Sequence, residues 1–315
     1  MIDILTSATD SRWLLVPGLN DEMAQPLQTI QAFQLNHSHR LPGTLVTMTP
    51  SGTAIIHVIG PILRYANRKY VSTEQLALDF KAALDSTAVR SIVLNVDSPG
   101  GQVAGINELA ELIYRARPRK RITAYVGGTA ASAAYWIASA AHRIVIDETA
   151  QVGGIGAVAE FASRTGTLQI VSRNAPNKRP DLSTEQGRAK VAETINALGE
   201  FFAQRVARNL GVKPEQIAKI GDQGGLRMGA DAVRAGLAHG LGSLQTVLAG
   251  KPATLPPARK IAQPSKASTA AISAPAPALA LAPKPAPAAP EPTPENLACR
   301  SELTTASIWQ KRNCR

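Results

Sequence analysis

Four short runs of β-branched and aliphatic residues alternate with segments of helical period: Thr53–Ile59 (TAIIHVI), Ser91–Val96 (SIVLNV), Ile122–Val126 (ITAYV) and Arg143–Ile146 (RIVI). Apolar runs this short and this continuous suit strands buried on both faces. Thr73–Leu84 reads as a helix, and Val103–Arg117 shows an apolar stripe at Ile106, Leu109, Ala110 and Ile113. Strands separated by helices pair in parallel through crossovers, which makes this an α/β fold. Leu168–Val171 reads as one more strand. A long helix is expected from about Thr184 to Leu210, with Ser183 and Gln186 as a capping box and Gly211 closing the far end. Its apolar face is Ile195, Leu198, Phe202, Val206 and Leu210. Shorter helices near Pro214–Ile220 and Gly229–Ala235 complete the pattern.

The pattern stops near Gly250. Twelve of the 22 prolines lie between Pro252 and Pro294, in sequence such as APAPALALAPKPAPAAPEPTPEN. Alternating Ala and Pro can neither form a helical ladder nor bury a core, so a disordered Ala/Pro-rich tail is expected. The expected organisation is an N-terminal extension over 1–50, a folded domain over 51–250 and a basic tail over 251–315. From Lys251 onward the 315-residue chain carries nine Lys/Arg against three Glu; before it, 25 basic against 20 acidic residues are spread without blocks. No basic stripe interleaved with aromatics signals a nucleic-acid partner. The tail suits either a solvated extension or a scaffold-like or docking segment for an acidic partner. Both cysteines, Cys299 and Cys314, fall in the last 17 residues, which excludes a cysteine nucleophile, a metal cluster or a disulfide scaffold in the folded part. The N-terminus has no basic region before an apolar stretch, so it is not a secretory signal. The longest uncharged run, Ile122–Ala141, is too poor in Leu, Ile and Phe to prefer lipid. No membrane span and a cytoplasmic location are expected.

Two glycine-marked strand ends could carry chemistry. Asp97-Ser98-Pro99-Gly100-Gly101 follows a strand and precedes a helix, a place where backbone N–H groups can point at an oxyanion or a phosphate. Plain turn chemistry fits it as well. In the second, Gly127-Gly128-Thr129-Ala130-Ala131-Ser132-Ala133-Ala134-Tyr135-Trp136, two glycines are expected to turn the chain and Ser132 to open a helix among small neighbours. Ala133 N–H and the positive helix end would lie beside any charge developing there. The plainer alternative is that Ser132 only caps the helix.

A serine hydroxyl needs a base, and the histidines do not supply an obvious one. They are His37, His39, His57, His142 and His239. His142 lies ten residues past Ser132, about 15 Å along a continuous helix. His57 sits within a predicted strand, and 143–238 holds no histidine.

Taken together, Gly60-Pro61-Ile62, DSPGG, AASAAYWIA, QVGGIGAV (Gln151–Val158) and GADAVRAGLAHGLG, in this order, resemble the signal-peptide-peptidase-A type of serine peptidase. The resemblance runs from about Ala54 to Leu244. It implies a Clp/crotonase-like repeated β-β-α spiral with a helical C-terminal part, and a peptidase domain over 51–250. It also implies Ser132 as nucleophile, with Gly100 or Gly101 and Ala133 forming the oxyanion hole. The base it implies is a lysine downstream, just before a helical region. Lys178 occupies that place, with Lys190 as second candidate. A lysine desolvated against apolar walls loses its proton more readily and can accept one from serine, and Arg179 would add like-charge repulsion. Gly153 and Gly154 would let a substrate backbone approach as an added strand, although they also suit a plain loop.

Peptidases of this type usually carry an N-terminal membrane anchor. A single domain with an Ala/Pro-rich basic extension looks instead like the capsid-assembly proteases of tailed phages and prophages. The resemblance thus implies a polypeptide substrate, a homo-oligomer, and capsid, portal or scaffold proteins as partners, inside the host cytoplasm or prohead. A soluble signal-peptide-peptidase-like enzyme, a crotonase-type acyl-CoA enzyme and a catalytically inactive assembly factor are the alternatives. No motif calls for a metal, nucleotide or other cofactor.

Overall fold

The computed structural model describes residues 13–15, 39–65, 70–159, 161 and 173–256. The strands are β1 (Trp13–Leu15), β2 (His39–Arg40), β3 (Thr47–Met48), β4 (Thr53–Ile59), β5 (Ile62–Leu63), β6 (Val71–Ser72), β7 (Ser91–Ser98), β8 (Gly100–Gln102), β9 (Arg121–Ala131), β10 (Arg143–Ile146), β11 (Gln151–Gly153), β12 (Leu226–Met228) and β13 (Gly240–Leu241). The helices are α1 (Thr73–Asp85), α2 (Ile106–Arg115), α3 (Ala133–Ser139), α4 (Glu185–Leu210), α5 (Ile217–Ile220), α6 (Gly229–Ala235) and α7 (Leu244–Leu248). The expected strand over Leu168–Val171 and the tail beyond Pro256 lie outside the described residues.

The expected mixed α/β architecture with a parallel sheet is present. In the larger sheet the order is β12-β11-β9-β7-β4-β3-β2, and β10 lies beside the first half of β9 with β13 on its far edge. The pairings among β4, β7, β9, β10, β11 and β13 are all parallel. A second sheet of four short strands runs β1-β8-β5-β6.

The main core lies on one face of the larger sheet, and a smaller cluster of Val93, Tyr125, Val145 and Leu244 lies on the other. Ile56 and Val58 of β4, Ile92, Leu94 and Val96 of β7, and Ile122, Ala124 and Val126 of β9 meet Leu76 and Phe80 of α1 and Leu109 and Ile113 of α2. All seven residues of α3 are buried. This explains why Ile122–Ala141 is free of charge: it is the central strand and the innermost helix, and a helix apolar all round belongs in a core. Among the described residues no helix is long and apolar enough to cross a membrane.

Two sequence expectations need correction. Gly127 and Gly128 do not turn the chain, because β9 runs on through them to Ala131. Between Val96 and Ser98 of β7 the partner strand instead advances from Val126 to Ala130, a bulge. A side chain at Gly128 would strike the Asp97 carboxylate, so the glycine serves close approach rather than a turn. The cap of α4 is Thr184, not Ser183: Thr184 Oγ1 accepts from Gly187 N–H at 3.0 Å. Ser183 is drawn instead to Asp181, whose carboxylate accepts from both its N–H and its hydroxyl. Gly211 does close the helix, in the left-handed conformation. Of the expected apolar face, Phe202 and Val206 are buried, whereas Ile195, Leu198 and Leu210 are half-buried.

Candidate active site

Three strand ends, of β7, β9 and β11, meet at Ser132, at the carboxyl end of the central parallel strand, where open α/β sheets place their ligand sites. On one side, β7 ends with Ser98 opposite Ala130. On the other, β11 sets Gly153 opposite Ala131, and Gly153 C=O accepts from Ser132 N–H at 2.8 Å. Below, α3 begins at Ala133, and Ser132 C=O accepts from Trp136 N–H at 3.0 Å.

Ser132 itself is strained. Its φ of 54° and ψ of −122° are unusual for any residue with a side chain, and its relative exposure is 2%. Such a backbone costs on the order of 1–3 kcal/mol and persists only where its surroundings impose it. Although Ser132 stands at the N-cap position, its side chain makes no capping bond. The hydroxyl has no hydrogen-bond partner among the described residues. The capping role that the sequence left open is therefore not the one it plays. Ala133 N–H heads α3 and likewise has no acceptor among the described residues, so the first turn of the helix faces the serine with an unspent donor.

Asp97 and Ser98 hold the Gly100-Gly101 turn in place. Asp97 Oδ1 accepts from Thr129 N–H at 2.9 Å, tying the end of β7 to the bulge of β9. The Ser98 hydroxyl donates to Gly60 C=O at 2.7 Å and accepts from Gly100 N–H at 3.1 Å. Gly60 N–H in turn donates to Asp97 C=O at 2.9 Å. Gly100 has φ 103°, and Gly101 lies so close to the Ile62 backbone that a side chain there would collide with it. The Gly60-Pro61-Ile62 and DSPGG segments are thus one unit. Sequence reasoning named the motif without giving Asp97 and Ser98 this bracing role.

Gly153 and Gly154 form the opposite wall. Gly153 has φ 131°, and a side chain there would meet Gly225 C=O at 2.6 Å. Gly154 N–H donates to that same carbonyl at 2.8 Å. The open edge expected of QVGGIGAV is absent over Gln151–Gly153, because β9 pairs along one side of β11 and β12 along the other.

Lys178 lies in a 3-10 turn, Pro176–Lys178, seven residues before α4 begins. Its side chain is exposed, so the apolar walls expected around it do not enclose it here, and no bond joins it to Ser132 among the described residues. Lys190, on α4, pairs with Glu193 at 2.6 Å. The histidines serve the sheet. His142 Nδ1 accepts from Ile122 N–H at 3.1 Å, His239 Nδ1 accepts from Ile144 N–H at 3.0 Å, and His57 bonds Asn95 at 3.0 Å. Burial holds all three below the usual histidine range, with Arg117, Arg143 and Arg40 respectively pushing the same way. The Tyr135 phenol, three residues from Ser132, is pushed far up by burial and donates to Leu237 C=O at 2.8 Å, so it is a structural donor. Among the described residues no group of three or more His, Cys, Asp or Glu side chains could hold a metal ion.

Residues 115–172, which include all of β9, Ser132 and all of α3, match the model of Peptidase family S49. That match covers 58 of the chain's 315 residues. It is 26% identical over 213 residues to the head-tail preconnector protein GP5 of Enterobacteria phage P21, covering 64% of this chain and 42% of that protein. It is 28% identical over 173 residues to capsid assembly protease C of Escherichia phage lambda, covering 50% of this chain and 38% of that one. Protease 4 of Haemophilus influenzae is 24% identical over 207 residues, covering 62% and 33%. The chain therefore spans less than half the length of each of these relatives. Within the S49 match, the strained serine is the feature that the geometry singles out.

Proposed function

We propose that this protein is a serine endopeptidase with a Ser132/Lys178 dyad on a Clp/crotonase-like repeated β-β-α spiral. We further propose that it acts in phage or prophage capsid assembly on a scaffold, portal or coat polypeptide. The observation that carries the reading is Ser132: a buried residue on a strained backbone, its hydroxyl uncommitted to capping, beside the unspent Ala133 N–H. Ser132 Oγ gives its proton to the Lys178 amine and attacks the scissile carbonyl carbon. The carbonyl electron pair moves to oxygen, which Ala133 N–H holds together with Gly101 N–H, or with Gly100 N–H once it leaves Ser98 Oγ. Collapse breaks the C–N bond, and the leaving amine takes the proton from Lys178. Water then repeats the sequence on the acyl-enzyme and frees Ser132.

The exposed Lys178 turn has to close over Ser132 in the working enzyme, and assembly into a homo-oligomer is the event we assign to that closure. The phage relatives support the capsid role, and the Protease 4 relative supports a signal-peptide-peptidase-like enzyme as its alternative. The exposure of Lys178 favours one further reading, a catalytically inactive assembly factor on the same fold.

The test is intact-mass analysis of wild type, Ser132→Ala and Lys178→Ala, each treated with a fluorophosphonate. One adduct on wild type, lost in both variants, is the expected result. Labelling that survives in Lys178→Ala would remove the lysine from the dyad. No adduct on an assembled wild type would leave the assembly-factor reading.

A further inference from the structure

The smaller sheet holds a strand that the catalytic reading does not use. β1 lies antiparallel on β8, with Leu15 opposite Gly100, Leu14 opposite Gly101 and Trp13 opposite Gln102. The other edge of β8 is held by β5 at Gly101. β1 therefore takes the remaining edge of the strand that carries both Gly100 and Gly101. β8 also packs against α3, the helix that Ser132 opens. Across Ser132, β11 has both edges paired. A polypeptide entering this centre as an added strand has the outer edge of β8 to join, and the chain's own residues fill it.

We propose that Trp13–Leu15 is an intramolecular occupant of the substrate-strand position, so that the N-terminal segment competes with polypeptide substrates for the edge of β8. The inference rests on the peptidase reading above. Only residues 16–38 connect this strand to β2, and a connection of that length sets an effective concentration on the order of millimolar. Three paired residues can then hold the edge without strong contacts. At nine-tenths occupancy the apparent affinity for an outside strand falls about tenfold, because only the open fraction binds. A substrate that pairs over more residues than β1 displaces it, which gives the enzyme a threshold against short peptides.

The test uses the full chain carrying Ser132→Ala, so that nothing is cleaved. A fluorescent peptide with the sequence of Ser11–Gly18 is titrated and followed by anisotropy. Adding Leu14→Pro with Leu15→Pro removes two backbone donors from the strand and should tighten peptide binding about tenfold. Leu14→Gly with Leu15→Gly, which weakens pairing without removing a donor, should fall between. Equal binding to all three proteins, or binding to none, overturns the inference. Fluorophosphonate labelling of the same variants with Ser132 restored separates the two readings. A tenfold difference in peptide binding with no labelling overturns the peptidase reading alone. Labelling without a difference in peptide binding overturns this inference alone.

Discussion

The two halves of the proposed dyad are built in opposite ways. Ser132 is fixed by backbone: the registers of β7, β9 and β11 converge on it, and hydrogen bonds at its own N–H and C=O lock its strained geometry. Lys178 is carried by an exposed 3-10 turn and, among the described residues, has only a backbone bond from its N–H to Ala175 C=O at 3.0 Å. Positions set by a parallel sheet are hard to move without unfolding it, whereas a position on a surface turn is set by whatever covers it. The proposed nucleophile is thus preorganised, and the proposed base awaits a partner surface.

This contrast breaks first at Lys178. Lys178→Ala should lower kcat/KM by about 10²–10⁴, the usual worth of a general base, while leaving the denaturation midpoint within about 0.5 kcal/mol of wild type, as for an exposed residue. Lys190→Ala should change neither. A reversed outcome would move the base onto α4. A smaller effect sharpens the serine side: Ser132→Gly should be inactive yet more stable by about 1 kcal/mol in urea denaturation, because glycine reaches φ 54° without steric cost. Lower stability would mean that the backbone is not strained. The smallest effect concerns the sheet beneath. His57, His142 and His239 are held below the ordinary value by burial. Between that lowered value and about 6.5 the unfolded chain binds more protons than the folded one, so stability falls as pH drops below about 6.5. His239→Gln should flatten this slope in denaturation midpoints measured at pH 7.5 and 5.0; an unchanged slope removes His239 from the account.

Much of this framework is legible in the sequence where side-chain pattern decides structure. β10 and α6 match their expected bounds, and the apolar stripe of α2 is the buried one. Legibility fails where backbone geometry decides. The Gly127-Gly128 pair looks like a turn in one dimension. Only the Asp97 carboxylate lying across from Gly128 makes it a bulge in a continuing strand. Ser183 and Thr184 are equally plausible caps, and Asp181 settles the choice by engaging Ser183. Trp13–Leu15 is too short for periodicity to register, and its pairing depends on a strand some 85 residues away. The sequence marks Ser132 and both glycine pairs, but it cannot mark the sign of φ at the serine or the exposure of Lys178.

The anchoring of α4 has a mechanical consequence. Near its C-terminal end Trp136 stacks on Phe202 at 4.7 Å between ring centroids, Asn209 Nδ2 donates to Ser139 Oγ at 2.9 Å, and the Arg117 guanidinium joins the carbonyls of Ser139, Ala140, Ala141 and Asn209. Most of the first half of the helix is exposed or half-buried. α4 is therefore a lever with its fulcrum beside α3, the helix that Ser132 opens, and its free arm leading to the Lys178 turn. From Phe202 to Glu185 that arm is about 26 Å long at 1.5 Å per residue, so a tilt of about 5° at the fulcrum sweeps its tip by about 2 Å.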